Sequence, residues 1–161
     1  MKKIAACLWF ENQAEEAAKF YTSVIKNSKM GNITHYSDEV AKASGGQAGS
    51  VMTVSFELNG YDFLGLNGGP QFKFTEAVSF MLKCDTQEEI DYLWEKLSEG
   101  GEKSVCGWLK DKFGLSWQVI HADFDKMMTG KDPEKEERAM NAVMQMKKLD
   151  IKKIRDAYDG K

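Results

Sequence analysis

The sequence predicts an α+β protein: two tandem βαβββ modules followed by C-terminal helices. Three observations carry this. Displacing Asn12, Ala17, Phe20, Tyr21 and Val24 by one constant offset lands on Asp85, Ile90, Leu93, Trp94 and Leu97, so a cap and its apolar stripe recur together. Each copy closes on a hairpin signal, Asn59-Gly60 in the first and Asp111-Lys112-Phe113-Gly114 in the second. Beyond residue 121 the pattern turns wholly helical, with Asp132-Pro133 and Asp150 as helix starts.

The elements follow in order. Residues 4–10 are a short apolar run bounded by polar residues, the mark of a buried strand. Asn12, with Glu15 three residues on, predicts a capping box for a helix over 13–26. Strands are expected at 29–36, 50–58 and 61–67, and the Gly-, Ser- and Ala-rich stretch 37–49 reads as a flexible loop. The second copy predicts a strand at 77–84, a helix at 87–99 capped by Asp85 or Thr86, and a last strand at 115–121. In the tail, Met140, Val143, Met144 and Leu149 form one helical stripe, and Ile151, Ile154 and Tyr158 mark a second, shorter helix. The expected organisation is one domain over 1–121, made of modules 1–67 and 77–121. A helical extension over 122–161 packs on it, because its apolar stripes would otherwise face water.

The 161 residues are 42% hydrophobic and 29% charged, enough to bury a core without a metal or disulfide staple. A net charge of -3 offers no basic field for a phosphate backbone, so no nucleic acid is expected as partner. Cys7, Cys84 and Cys106 are odd in number, far apart and outside any C-x-x-C pair, which favours a reducing compartment. The N-terminal apolar run is short and no A-x-A-like site follows it. No stretch reaches the ~20 apolar residues of a membrane span, so a cytoplasmic protein without membrane contact is expected.

Three stretches resemble the vicinal oxygen chelate (glyoxalase/bleomycin-resistance) superfamily, and its PhnB-like branch in particular. They are Leu8-Trp9-Phe10 with Ala14-Glu15-Glu16-Ala17 and Phe20-Tyr21; Leu66-Asn67-Gly68-Gly69-Pro70; and the run from Gly107-Trp108-Leu109-Lys110-Asp111 through Gly114-Leu115-Ser116-Trp117-Gln118. PhnB-like proteins often carry the label 3-demethylubiquinone-9 3-methyltransferase. The resemblance implies a cup whose cavity holds a small molecule, and a homodimer. Metal-dependent members of the superfamily set one ligand on each of four strands, and those positions fall here on Ala5, Leu64, Ala77 and Gln118. Ligation needs imidazole, thiolate or oxygen donors, so only Gln118 qualifies and no metal is expected. No strand–G-x-G–helix loop is present to hold a nucleotide-like cofactor, and no cofactor is expected.

Strand alternation puts Ala5, Cys7 and Trp9 on one face, which the resemblance implies is the cup face, and the same parity gives Ala77, Ser79 and Met81 on the fifth strand and Ser116 and Gln118 on the last. The expected ligand-binding residues are Cys7, Trp9, Ser79, Trp108 and Gln118, an apolar and aromatic wall with a few polar points. Trp117 and Cys84 read as core, and His35 and His121 as surface or interface residues. The first functional reading is a metal-independent small-molecule-binding protein. The second is a metal-free enzyme acting on a small, partly apolar or carbonyl-bearing substrate, with Glu76, Cys7 or Asp111 as acid, base or nucleophile. A metal enzyme with a rearranged site is the third.

Overall fold

The computed structural model describes residues 4–129 and 132–161; the start of the first module, residues 1–3, lies outside them. The chain forms two compact units, one ending at Phe74 and one starting at Thr75. The first contains β1 (Ala6–Phe10), α1 (Ala14–Val24), β2 (Lys29–His35), α2 (Asp38–Ser44), β3 (Val51–Leu58) and β4 (Tyr61–Asn67). Its strands run in the order β1-β4-β3-β2, with β1 parallel to β4 and the rest antiparallel.

Alternation in β1 works as the pattern requires: Leu8 and Phe10 are buried, whereas Cys7 is exposed and Trp9 half-buried. The helix α1 buries Ala14, Ala17 and Ala18 with Tyr21 and Val24. Small residues at its start allow a close approach to the sheet. A Cβ on Gly65 of β4 would sit 3.1 Å from the Ala14 methyl.

Two local readings are corrected in this unit. Asn12 does not cap α1; the N-cap position is Gln13, with no side-chain cap bond. The free helical N–H of Ala14 is taken instead by Asn67 Oδ1, 2.8 Å away at the end of β4. The cap is therefore tertiary. Residues 37–49 are not all loop either. Ser37 accepts from Val40 N to start α2, and Gly45 ends it in the left-handed region.

The second unit repeats the plan with β5 (Ser79–Cys84), α3 (Gln87–Ser98), β6 (Glu102–Lys103), β7 (Trp108–Lys110) and β8 (Ser116–His121). The strand order β5-β8-β7-β6 and the parallel β5/β8 pair match the first sheet. The internal duplication shows in burial too: Ala17, Tyr21 and Val24 are buried, as are Ile90, Trp94 and Leu97. Thr86 caps α3 by accepting from Glu89 N, and Glu89 Oε2 reaches back to accept from the backbone N–H of Asp85, the residue before the cap.

Three helices follow: α4 (Phe124–Met128), which the sequence reading missed, α5 (Pro133–Met144) and α6 (Ile151–Asp159). Asp132 and Asp150 cap α5 and α6 as their positions suggest. Ala139, Val143, Leu149 and Ile154 form a buried cluster with Ile120 of β8. The stripe assignment needs correcting. α5 ends at Met144, so Leu149 is buried from the turn after it, while Met140 and Met144 are 39% and 59% exposed. A side-chain clamp secures that turn: Gln87 donates to Leu149 O at 3.0 Å and accepts from Ile151 N at 2.9 Å. Among the described residues, no helix is long and apolar enough to cross a membrane.

Candidate functional site

Cys7 and Trp9 belong to the first unit, and Ser79, Trp108 and Gln118 to the second; each group is described in its own sheet. In the first sheet, Cys7 lies beside Leu64 of β4, which lies beside Ser55 of β3. Ala5, Met30, Ser55 and Leu64 are among the residues that line a pocket of about 350 Å³. Trp9 is held by the segment after β4. Its Nε1 donates to Gly69 O at 2.9 Å, and Phe72 meets the ring edge-on at 4.9 Å. A Cβ on Gly68 would fall 2.2 Å from the indole. This contact explains a glycine at position 68, since any side chain there would displace Trp9.

In the second sheet, Leu109 and Trp117 face α3 and are 1% exposed. Their neighbours therefore point to the other face. On that face two rungs cross β5, β8 and β7. One runs Ser79, Ser116, Lys110; the next runs Met81, Gln118, Trp108. Gln118 Nε2 donates to Ser79 Oγ at 2.9 Å and joins the two. Of the sequence-derived set, the structure thus brings Ser79, Trp108 and Gln118 together on one face. Lys110 was missed, although the alternation in Trp108-Leu109-Lys110 places it beside Trp108.

Several candidate reactive groups are already engaged. Asp111 is no acid or nucleophile in waiting. It is 2% exposed, with Oδ1 accepting from Phe113 N at 2.9 Å and Leu115 N at 3.0 Å, and Oδ2 from Trp117 Nε1 at 2.8 Å. It shapes the turn before β8, where Gly114 takes φ 86°. Glu76 is ion-paired with Lys110, and that hydrogen bond holds its carboxyl below the usual range. Cys84 is buried, as its strand parity requires.

His121 corrects a second expectation: it is 4% exposed, not a surface residue. Its Nδ1 accepts from Asp123 N at 3.0 Å, and Nε2 lies 3.2 Å from Asp85 O. It borders a pocket of about 490 Å³ with Gln87 and Arg155. The polar groups of His121 and Gln87 there are spent on protein partners, so this pocket is a seam between α3 and the tail.

At the four positions where the resemblance expects metal ligands, only Gln118 has a donor side chain. Ala5, Leu64 and Ala77 carry only carbon side chains, and Gln118 is hydrogen-bonded to Ser79. Among the described residues, no group of three or more His, Cys, Asp or Glu side chains is placed to hold a metal ion.

Two modules with the same mixed strand order, each crossed by one helix, define a protein of the vicinal oxygen chelate fold. The family described as 3-demethylubiquinone-9 3-methyltransferase matches residues 2–120, and the chain belongs to that PhnB-like family. It is 36% identical to a Bacillus cereus protein described as a putative 3-demethylubiquinone-9 3-methyltransferase, PhnB protein, with a TM-score of 0.65. The match covers 74% of this chain and 99% of that one. A Pseudomonas aeruginosa protein shares the fold at 17% identity and a TM-score of 0.60, over 75% of this chain and 98% of its own. The fosfomycin resistance protein FosX from Mesorhizobium loti shares it at 11% identity and 0.52, over 76% and 92%. No curated protein matches the sequence.

Proposed function

We propose that this chain is a small-molecule-binding protein that works without a metal, with its ligand held on the face of the second sheet opposite α3. The observation that carries this is the Gln118–Ser79 bond of 2.9 Å beside Trp108 and Met81. One carboxamide N–H is spent on Ser79, and the amide has a second N–H and a carbonyl oxygen to offer a ligand. Trp108 supplies an aromatic wall of the kind that small-ligand sites use. Cys7 and Trp9 are proposed as ligand contacts of the first sheet. Carbon side chains at Ala5, Leu64 and Ala77 support metal independence. The sequence also lacks a G-x-G loop, which supports binding over methyl transfer.

The test is native mass spectrometry of the untagged protein, to identify a retained small molecule, followed by titration of that molecule. Gln118→Ala is expected to weaken binding roughly 5- to 150-fold, the value of about 1–3 kcal/mol for a lost partner of a buried group. The fold should survive, since the side chain is half-buried. Unchanged affinity would remove Gln118 from the site.

The protein is further proposed to act in the cytoplasm as a homodimer, with a small molecule and neither nucleic acid nor membrane as partner. Light scattering at micromolar concentration should report about twice 18.2 kDa. A mass equal to one chain would defeat the dimer.

A further inference from the structure

We infer that the ligand of this face carries a carboxylate, and that Glu76 occupies the carboxylate's place on Lys110 until the ligand arrives. This rests on the binding reading above and names the ligand's chemical class. Lys110 stands in the first rung, next to Ser116, on the same face as Gln118 and Trp108. Its ammonium pairs with Glu76, which lies outside the strands, before β5. The Glu76 side chain is 62% exposed and that of Lys110 35% exposed. An exposed pair of this kind is weak, on the order of 0–1 kcal/mol, so an incoming carboxylate can exchange with it. Glu102 of β6, across from Lys110, adds a second negative charge nearby.

An independent observation comes from Ser116. Its Oγ lies in the middle of the same rung, is buried, and has no hydrogen-bond partner among the described residues. A buried hydroxyl left unpaired costs about 1–3 kcal/mol, so an orphan between Ser79 and Lys110 points to an acceptor from outside the protein. A carboxylate satisfies both groups at once: one oxygen takes the Lys110 ammonium, and the other accepts from Ser116. Gln118 and Trp108, one rung along, would meet the body of the ligand. No covalent step is involved. One ion pair, Glu76 with Lys110, exchanges for another, and Glu76 passes to water.

The assignment makes an unusual demand, that removing a charge from the protein should tighten binding. The probes are benzoate and benzamide, nearly equal in shape and different in charge, titrated calorimetrically into the full chain at low salt. Benzoate should bind about tenfold more tightly than benzamide, a difference of about 1.4 kcal/mol. Lys110→Gln should abolish that preference. Glu76→Gln should strengthen benzoate binding severalfold and leave benzamide unchanged. Both side chains are exposed enough for the variants to fold, which circular dichroism verifies. Equal affinity for the two probes, no binding of benzoate, or a Glu76→Gln variant that binds benzoate no better would each overturn the carboxylate assignment. The binding reading is separable: it stands if Gln118→Ala weakens whatever molecule the protein retains, and falls if that variant changes nothing.

Discussion

Asp111→Ala is expected to lower the free energy of unfolding by about 3–5 kcal/mol, among the largest effects of any single substitution in this chain. The carboxylate is buried and accepts three hydrogen bonds, from Phe113 N, Leu115 N and the indole of Trp117. Alanine leaves those three donors without an acceptor, and Trp117 is 1% exposed, so water cannot replace the lost partner without opening the core. Asp111→Asn should recover part of the loss, because a carbonyl oxygen still accepts while one contact meets an N–H. Chemical denaturation of the three proteins provides the comparison. A loss under 1 kcal/mol for the alanine variant would mean that the turn before β8 holds its shape without this side chain.

Truncation after Asp125 is expected to lower the melting temperature by about 10 °C or more, or to cause aggregation. It removes Ala139, Val143, Leu149 and Ile154 from their cluster and strips the cover from Ile120. Each large apolar side chain returned to water costs roughly 1.5–3 kcal/mol, and 1 kcal/mol moves the melting point by about 2–4 °C in a protein of this size. Gln87 loses Leu149 O and Ile151 N in the same cut. Leu149→Ala is the gentler test. It should cost about 2–5 kcal/mol, since Leu149 is fully buried and its neighbours cannot all collapse onto a methyl group. An unchanged melting temperature for the truncated chain would show that the tail contributes no stability to the second unit.

The tail also marks where this chain departs from its relatives. The family match ends at residue 120, and the Bacillus cereus relative is covered almost whole by 74% of this chain. In the present protein Ile120 is buried under tail residues, so the extension continues the core of the second module.

Much of the site could be read from alternation. Leu8 and Phe10 inward with Cys7 and Trp9 outward, and Trp117 inward with Gln118 outward, follow from a period of two and from which set is apolar. Lys110 was missed although alternation sets it on the side of Trp108; its meaning comes from the rung it shares with Ser116, which only strand pairing creates. Asp111 was offered as an acid, base or nucleophile, and His121 was placed at the surface or an interface. Neither's partners are visible in one dimension, and only the packing shows that the Trp117 indole covers Asp111 while Asp85 and Asp123 enclose His121.

By itself the sequence determined the duplicated module, the hairpin at Asn59-Gly60, the helix starts at Asp132 and Asp150, a third at Asp85 or Thr86, and the facing of the residues in β1, β5 and the start of β8. These depend on side-chain period, glycine's tolerance of positive φ, and short-range capping, all of which act within a few residues. The tertiary structure alone decided that Asn67 rather than Asn12 caps α1, that Gly68 makes room for Trp9, that Leu149 is buried from a turn, and that Lys110 joins Ser116 in one rung. The physical reason is common to all four. A hydrogen bond or a van der Waals contact acts over a few ångströms of space without regard to distance along the chain, and these partners meet only after the strands have paired.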